Sequence, residues 1–229
     1  MNPEFDNYAK DYRALLKNPI RDWFAQDPEF FHLRKWLLLK SFLLRNGAVP
    51  GRLRWLDVGC GKGELMRLGM DFFSEVVGCD PSSEMLKQCD GLQVKLQSDS
   101  AALPYDDRSF DLVTAVCVYH HMDGRERVSL TSEAFRVLRP GGTFGILEHN
   151  PWNPLTRSIV KRVPVDANAV LLTGPETRRL MKSAGLEPLR TQYFLYLPAK
   201  LYAVAGAVEK ILAPVPMGGQ YAAFARRNG

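Results

Sequence analysis

The sequence predicts an α/β fold, a doubly wound and mostly parallel sheet with helices on both faces. Short apolar strands alternate with helices between residues 54 and 147, and repeats of this length build parallel sheets covered on both sides. One predicted strand, Phe110–Val118, is a nearly continuous apolar run, which is typical of a strand buried on both faces. The chain has 229 residues, of which 46% are hydrophobic and 24% charged, so it can fold as one globular unit with a substantial core.

The first fifty residues predict helices ahead of the sheet. Four large side chains recur at helical spacing and would share one face: Phe5, Tyr8, Tyr12 and Leu15. A second helix is expected to begin at Asp27-Pro28, an N-cap followed by proline, and to end at Gly47. Residues 1–50 are therefore expected to form a helical lid. Its aromatic side chains fit either a helix core or a surface that closes over a ligand.

Residues 51–150 predict the α/β core. Its strands are expected at Arg54–Val58, Glu75–Cys79, Leu92–Leu96, Phe110–Val118 and Thr143–Leu147. The helix Asp123–Leu138 begins with a capping box formed by Asp123 and Glu126. We expect the segment Pro140-Gly141-Gly142 to end this helix before the next strand.

Residues 151–229 predict an acceptor-side insertion and the antiparallel end of the sheet. Pro151–Leu172 is interpreted as an irregular or mixed lid. A helix should open at Thr173–Glu176 and end at Gly185. Two late strands suit an antiparallel edge pair, with a weakly amphipathic helix between them. These elements are predicted at Gln192–Leu197, Ala199–Leu212 and Tyr221–Arg226.

Charge is distributed unevenly along the chain. The net charge is +5, but residues 51–150 carry 11 basic and 15 acidic groups, whereas residues 151–229 carry 11 basic and 4 acidic groups. The basic third fits either a solvated surface or a rim that faces an anionic acceptor or an anionic surface. Because no run of lysine and arginine occurs, binding of nucleic acid is not expected.

The cysteines and the N-terminus predict a cytoplasmic protein. The four cysteines form no C-x-x-C pair, which argues against a zinc ribbon and a disulfide framework and fits a reducing compartment. The first residues are polar and acidic, unlike a signal peptide. No apolar run reaches the length of a transmembrane helix. We therefore expect no metal and no transmembrane segment, and leave peripheral contact with a membrane open.

The first chemistry-bearing pattern is the glycine loop after the first strand. Asp57 and the G-x-G-x-G run Gly59–Gly63 join that strand to a helix. Glycines allow a sharp turn and close approach of a ligand to the backbone, although the same pattern also suits a plain strand–helix turn. The spacing differs from the G-x-G-x-x-G of dinucleotide binders, and Asp57 would repel a pyrophosphate. A cationic ligand is therefore favoured over a nicotinamide dinucleotide.

Two further carboxylates follow the next strands. Asp80 ends the second predicted strand, where a carboxylate can accept both hydroxyls of a ribose. The alternative is that Asp80 caps the following helix. Asp99 follows the third strand and can accept a hydrogen bond from an exocyclic amine such as that of adenine.

Taken in order, these motifs resemble class I S-adenosylmethionine-dependent methyltransferases, particularly the small-molecule and ubiquinone/menaquinone-type group. They are Asp57–Gly63, Asp80, Asp99, Phe110–Val113 and Val137–Gly142. The resemblance covers about residues 54–147. It implies a Rossmann-like sheet of seven strands with an antiparallel last strand. It also implies S-adenosylmethionine as cofactor and S-adenosylhomocysteine as product. The expected cofactor-binding residues are Tyr12, Asp57, Gly59, Cys60, Gly61, Gly63, Asp80, Pro81, Asp99, Ser100, Ala101 and Cys117.

The acceptor side is predicted at the ends of the fourth and fifth strands. His120, His121, Glu148 and His149 should border one cavity there, because ligands of open α/β sheets bind outside the carboxyl ends of the strands. A histidine could remove a proton from an acceptor, position the cofactor, or cap a helix. Methyl transfer can also proceed by alignment and desolvation alone.

We therefore expect methyl transfer to O, N or C of a small-molecule acceptor, of lipid-like or anionic character. The alternatives are an RNA or protein methyltransferase and a non-catalytic relative that binds S-adenosylmethionine.

Overall fold

The computed structural model describes residues 4–99 and 102–229. Seven strands of this part of the chain form one sheet. They are β1 (Arg54–Val58), β2 (Glu75–Asp80), β3 (Gln93–Leu96), β4 (Phe110–Val116), β5 (Leu138–His149), β6 (Leu186–Phe194) and β7 (Gln220–Arg227). Their order across the sheet is β3-β2-β1-β4-β5-β7-β6.

Strand direction confirms the predicted mixed sheet. Strand β1 pairs in parallel with β2 and β4, and the pairs β2–β3 and β4–β5 are also parallel. Strand β7 runs antiparallel to both of its neighbours, β5 and β6. The last strand in the chain is therefore inserted inside the sheet, and β6 forms the edge.

Three strands differ from the predicted bounds by two residues or more at one end or both. Strand β4 stops at Val116 because Cys117 has a φ of 58°. Strand β5 begins at Leu138 and includes the Pro-Gly-Gly segment, which lies at a register shift between β4 and β5. Strand β6 begins at Leu186, six residues before the prediction. Its Pro188 argues against a strand in sequence, but the edge position and a register shift accommodate it.

The predicted first helix is broken into short pieces. The N-terminal helices are α1 (Glu4–Tyr8), α2 (Tyr12–Leu15), α3 (Pro19–Phe24) and α4 (Glu29–Arg45). The Asn18 side chain accepts hydrogen bonds from the backbone N–H groups of Ile20 and Arg21, so it starts a new helix at Pro19. Helix α4 begins one residue later than predicted, with Pro28 rather than Asp27 as its N-cap.

The later helices agree with the capping signals. They are α5 (Glu64–Gly69), α6 (Ser83–Leu86), α7 (Gly124–Val137), α8 (Pro154–Val160), α9 (Gly174–Ser183) and α10 (Ala199–Leu212). Both predicted capping boxes form, at Asp123 with Glu126 and at Thr173 with Glu176. Helix α10 has the predicted bounds and is kinked at Ala205.

The core lies on both faces of the sheet. On one face, α7 and α9 cover strand residues such as Val113 and Ile146. On the other face, α4 packs directly on the sheet, and the ring centroids of Phe42 and Phe224 are 3.7 Å apart. Helix α4 is thus a core helix, and both its first turns and the segment ahead of it reach the site.

Candidate functional site

One cavity of about 650 Å³ opens at the carboxyl ends of β1, β2, β4 and β5. The strand ends, the N-terminal segment and α8 all contribute to its lining. It collects most of the predicted site residues in one place, as expected for an open α/β sheet. The predicted residues that line it are Tyr12, Asp57, Gly59, Cys60, Gly61, Asp80, Pro81, Cys117, His120, His121 and His149.

The glycine loop needs its glycines for different reasons. Gly59 has a φ of 67°, and an added Cβ would lie 2.4 Å from a methyl group of Val118. Gly63 has a φ of 74°, and its Cβ would lie 2.2 Å from Leu92, so its role is in packing rather than in lining the cavity. Gly61 has a φ of 55° and open space around it. Gly61 is therefore where a ligand can approach the backbone most closely.

Asp80 organises the backbone beneath the cavity. Its carboxylate accepts hydrogen bonds from the backbone N–H groups of Gly61 and Ser82, each at 2.8 Å. Ser82, not Asp80, caps the following helix, so the capping alternative is wrong. Burial raises the pKa of Asp80, and these two hydrogen bonds oppose the rise. Each oxygen keeps acceptor capacity for a ligand.

Asp57 lies deeper in the same wall. It is buried, and its Oδ1 accepts a hydrogen bond of 2.6 Å from the Thr114 hydroxyl. Burial raises the pKa of Asp57 to about 7, although the Thr114 hydrogen bond acts in the opposite direction. A cation bound beside Asp57 would favour its ionised form.

The N-terminal segment is tied down over the loop. Asp6 accepts hydrogen bonds from the Ser82 hydroxyl at 2.6 Å and from the Glu84 backbone N–H at 3.2 Å. Tyr12 lines the cavity, with its ring centroid 5.7 Å from the Lys62 ammonium nitrogen. The segment thus covers the loop that bears the cofactor-binding candidates.

His120 is held between two carboxylates. Its Nδ1 lies 2.6 Å from Glu148 Oε2, and its Nε2 lies 3.4 Å from Asp166 Oδ1 without forming a hydrogen bond. The other Glu148 oxygen accepts from the Tyr119 backbone N–H at 2.8 Å. Burial alone would lower the pKa of His120, but the two carboxylates outweigh it and raise the pKa to about 10. His120 is therefore an imidazolium at neutral pH.

The neighbouring histidine has the opposite character. Burial and the charge on His120 lower the pKa of His121 to about 4, so His121 is neutral at pH 7. Ligand-type atoms of His120, His121 and Asp166 lie within 4.8 Å of one another. The sequence predicted no metal here. Asp166 was not among the predicted site residues, because it lies in the segment Pro151–Leu172, which was interpreted only as an irregular or mixed lid.

Cys117 lies near this cluster and has an unusual backbone conformation. Its φ of 58° is rare for a residue with a side chain. Its sulfur accepts a 3.5 Å hydrogen bond from the Lys35 ammonium group. Burial would raise the pKa of Cys117, but Lys35 and His149 outweigh burial and lower it to about 7.

Three basic side chains on the lining were also missed. Arg21, His32 and Lys35 all face the cavity. Within residues 4–99 and 102–229, none of the three forms an ion pair with a carboxylate. Burial lowers the pKa of His32 to about 3, so this imidazole is neutral, and its Nδ1 has no hydrogen-bond partner among the described residues. The i, i+3 spacing of His32 and Lys35 was the available signal that they share a helix face.

The remaining predicted residues lie off the cavity lining. Glu148 is buried behind His120 and acts on the cavity through it. Asp99 is exposed and is not among the lining residues. Ser100 and Ala101 lie outside the described residues.

Comparison with known proteins agrees with this geometry. Residues 56–146 match the family described as "Methyltransferase domain". The chain also superposes with a TM-score of 0.71 and 19% identity on a SAM-dependent methyltransferase from Thermotoga maritima, covering 100% of both chains. Residues 56–146 therefore carry a methyltransferase domain, and the whole chain has the fold of a SAM-dependent methyltransferase. Its cofactor is S-adenosylmethionine, and the open space at Gly61 beside Asp57 and Asp80 fits a ligand with a cationic sulfonium and a ribose.

The curated relatives of this methyltransferase domain differ in acceptor. A sterol 24-C-methyltransferase of Schizosaccharomyces pombe is 35% identical over 114 residues, which are 45% of this chain and 29% of the relative. A tRNA (carboxymethyluridine(34)-5-O)-methyltransferase of Mus musculus is 34% identical over 109 residues, which are 47% and 16% of the two chains. The chain thus spans less than a third of the length of either relative.

Proposed function

We propose that the protein transfers the methyl group of S-adenosylmethionine to O, N or C of a small, partly apolar and anionic acceptor. The observation that carries this proposal is the two cationic side chains Arg21 and Lys35, together with the neutral imidazole of His32, in a cavity with many apolar residues on its lining. Lys35 is 6% exposed, and its ammonium group donates to the Cys117 sulfur but pairs with no carboxylate of the described residues, so the buried charge is only weakly compensated, which is costly. An anionic group of the acceptor, or the carboxylate of the cofactor, would compensate it.

The cofactor is proposed to lie along the glycine loop. Gly59 and Gly61 would back its methionine part, and Asp80 would accept from its ribose. Four further residues on the cavity lining would complete the cofactor site, namely Tyr12, Cys60, Pro81 and Cys117. Contacts of adenine with Asp99, Ser100 and Ala101 remain part of the proposal.

In the reaction, an electron pair of the acceptor, which is a lone pair on O or N or the π electrons at C, attacks the methyl carbon, and the carbon–sulfur bond breaks with its electrons going to sulfur. S-adenosylhomocysteine is the product. A hydroxyl acceptor must also lose a proton. We assign this proton to His121 or His149, because the imidazolium of His120 already holds one and instead supplies positive charge. Alignment alone would suffice for a stronger nucleophile.

The setting proposed for this reaction is a cytoplasmic protein that meets a lipid-like acceptor at a membrane surface. None of the four cysteines, all within the described residues, forms a disulfide, which fits a reducing compartment. None of the described helices combines the length and the apolar character needed to cross a bilayer. Binding of nucleic acid is not part of the proposal, although one curated relative is named for action on tRNA.

The test has two stages. Saturating S-adenosylhomocysteine should raise the melting temperature of the protein, since a ligand at a hundred times its dissociation constant stabilises by about 2.7 kcal/mol, and NAD should not. Incubation with methyl-labelled S-adenosylmethionine and separate lipid, small-molecule, RNA and protein fractions should then label the lipid or small-molecule fraction. Label in RNA or protein would overturn the acceptor assignment. Cofactor binding without label in any fraction would identify a non-catalytic relative.

The variant Lys35→Met probes the basic group, with Lys40→Met as its control on the exposed side of α4. We expect Lys35→Met to lower turnover or ligand affinity by roughly tenfold or more, because it removes a charge-assisted contact. Lys40→Met should leave both unchanged. Equal behaviour of the two variants would contradict the proposed role of Lys35.

A further inference from the structure

Helix α10 directs polar side chains toward the protein and aliphatic side chains toward the solvent. The side chains of Tyr202 and Glu209 face the protein, and Glu209 forms a buried ion pair with Arg34 of α4. The Arg34 guanidinium carbon also lies 3.4 Å from the centroid of the Tyr202 ring. Two backbone N–H groups, those of Tyr196 and Leu197, donate to Glu209, each at 2.9 Å. The polar contacts of α10 therefore lie on its inner face.

The outer face of α10 is apolar. Leu201, Val204, Val208 and Ile211 recur at spacings of three and four residues and therefore form one stripe. Val204 is 84% exposed and Ile211 is 78% exposed. A contiguous stripe of large aliphatic side chains in water is unfavourable and marks an interaction surface. We call these four residues the α10 stripe.

The charges around the α10 stripe indicate what covers it. Lys200 and Lys210 are the exposed ionisable residues of this helix, since Glu209 is buried in its ion pair. An apolar stripe flanked only by lysines complements a lipid layer with anionic headgroups, where the aliphatic side chains enter the acyl boundary and the ammonium groups remain at headgroup level.

The position of α10 connects this surface to the cavity. Tyr196 and Met217 line the cavity, and the Tyr196 hydroxyl donates to the Leu212 carbonyl at the end of α10 at 2.7 Å. Met217 is itself half exposed. A membrane that covers the stripe would therefore lie close to this side of the cavity.

From these observations we propose that the α10 stripe docks the protein on anionic membrane surfaces. The inference extends the proposed function, because it states where the acceptor is met, but it is argued from α10 itself and does not depend on the acceptor. Single-helix docking of this kind is reversible, because it buries only a few aliphatic side chains.

The test is co-sedimentation of the full chain with vesicles of phosphatidylcholine alone or with one quarter phosphatidylglycerol. We expect binding to the anionic vesicles, weakened by salt. The variant Val204→Gln/Ile211→Gln should reduce this binding by roughly tenfold or more, and Lys200→Glu/Lys210→Glu should remove its preference for anionic lipid. The control Leu68→Gln/Val128→Gln changes two exposed aliphatic residues on other helices and should bind like the unchanged protein.

Several outcomes would overturn docking. They are no binding to anionic vesicles, equal binding by the stripe variant and the control, or self-association in sedimentation velocity that the stripe variant abolishes. The last result would assign the stripe to contact between two copies. The melting temperature with S-adenosylhomocysteine is measured on every variant. A protein that binds this ligand but no vesicle contradicts docking alone, and one that binds vesicles but not this ligand contradicts the methyltransferase proposal alone.

Discussion

His120 and Glu148 form a buried ion pair in which Nδ1 and Oε2 are 2.6 Å apart and both side chains are 1% exposed. The pair links the loop after β4 to the end of β5. It therefore fixes the two strand ends that border the proposed acceptor side of the cavity. It also keeps His120 charged, which separates this residue from the two histidines that can accept a proton.

The pair predicts a pH-dependent stability. The pKa of His120 rises from 6.5 to about 10 on folding, so its contribution is complete below about 6.5 and is lost as pH rises through 10. The pKa of Glu148 falls from 4.5 to about 2, so its contribution is complete above 4.5 and is lost as pH falls through 2. Both contributions are therefore complete between pH 4.5 and 6.5.

The variant Glu148→Gln tests this dependence. It should destabilise the protein by about 3–5 kcal/mol near pH 6, because it removes the closer of the two carboxylates that compensate the buried His120 charge, and by less near pH 10. Urea denaturation at both pH values measures the difference. The control Glu133→Gln breaks the pair with Arg136 on α7, and its cost should not change between these pH values because arginine stays charged. An equal cost of Glu148→Gln at both pH values would contradict the assigned charge of His120.

The open space at Gly61 predicts a selective loss of cofactor binding. Gly61 and Gly47 both have positive φ angles and no atom within 4 Å of an added Cβ. Alanine at either position should cost about 1–2 kcal/mol of stability from backbone strain. Only Gly61→Ala places a methyl group in the cavity, so only this variant should lose affinity for S-adenosylhomocysteine in calorimetric titration. Similar affinities for both variants would place the cofactor elsewhere.

The backbone of Cys117 predicts that glycine destabilises this position less than alanine does. At its φ of 58°, glycine is strained less than any residue with a Cβ. Cys117→Gly should therefore be more stable than Cys117→Ala by about 1 kcal/mol, in spite of the greater backbone entropy of glycine in the unfolded chain. Urea denaturation of the two variants measures this difference. A more stable alanine variant would show that position 117 carries no backbone strain.

The ion pair between Arg34 and Glu209 predicts that a second substitution partly restores the stability lost by the first. Arg34→Met should destabilise the protein by about 3–5 kcal/mol, because Glu209 would remain buried without its partner. In the double variant Arg34→Met/Glu209→Gln, the glutamine can still accept from the two backbone N–H groups and carries no charge. It should therefore recover part of the loss in thermal or urea denaturation. A double variant no more stable than Arg34→Met would show that the charge of Glu209 is not what makes the single change costly.

Local signals predicted the parts of the fold that depend on local physics. The capping boxes at Asp123 and Thr173 located two helices, and the apolar run starting at Phe110 located the central strand. The signals failed where tertiary contacts decide. Strand β6 contains Pro188, which is tolerated only because β6 is at the edge of the sheet.

The candidate site likewise contains residues that local sequence patterns predict and residues that only tertiary contacts bring to it. The loop from Asp57 to Gly63 and Asp80 are close in sequence to the strands that place them, so their positions could be predicted. Asp166 comes to His120 from a segment without a regular pattern, and Lys35 comes to Cys117 from α4, 82 residues away in the chain. Contacts between such distant residues leave no periodicity in the sequence. His120 itself was predicted, but its contact with Asp166 was not.

The insertion of β7 between β5 and β6 has a consequence for synthesis on the ribosome. The strands that carry the glycine loop and Asp80 emerge first and can pair with one another, but β6 has no partner in the sheet until Gln220–Arg227 emerges. Until then, β5 presents an unpaired edge, which is a template for pairing with other chains. The nascent chain therefore forms the strands around the glycine loop and Asp80 before β6 and β7 complete the sheet. Its period of greatest aggregation risk falls just before translation of the last strand.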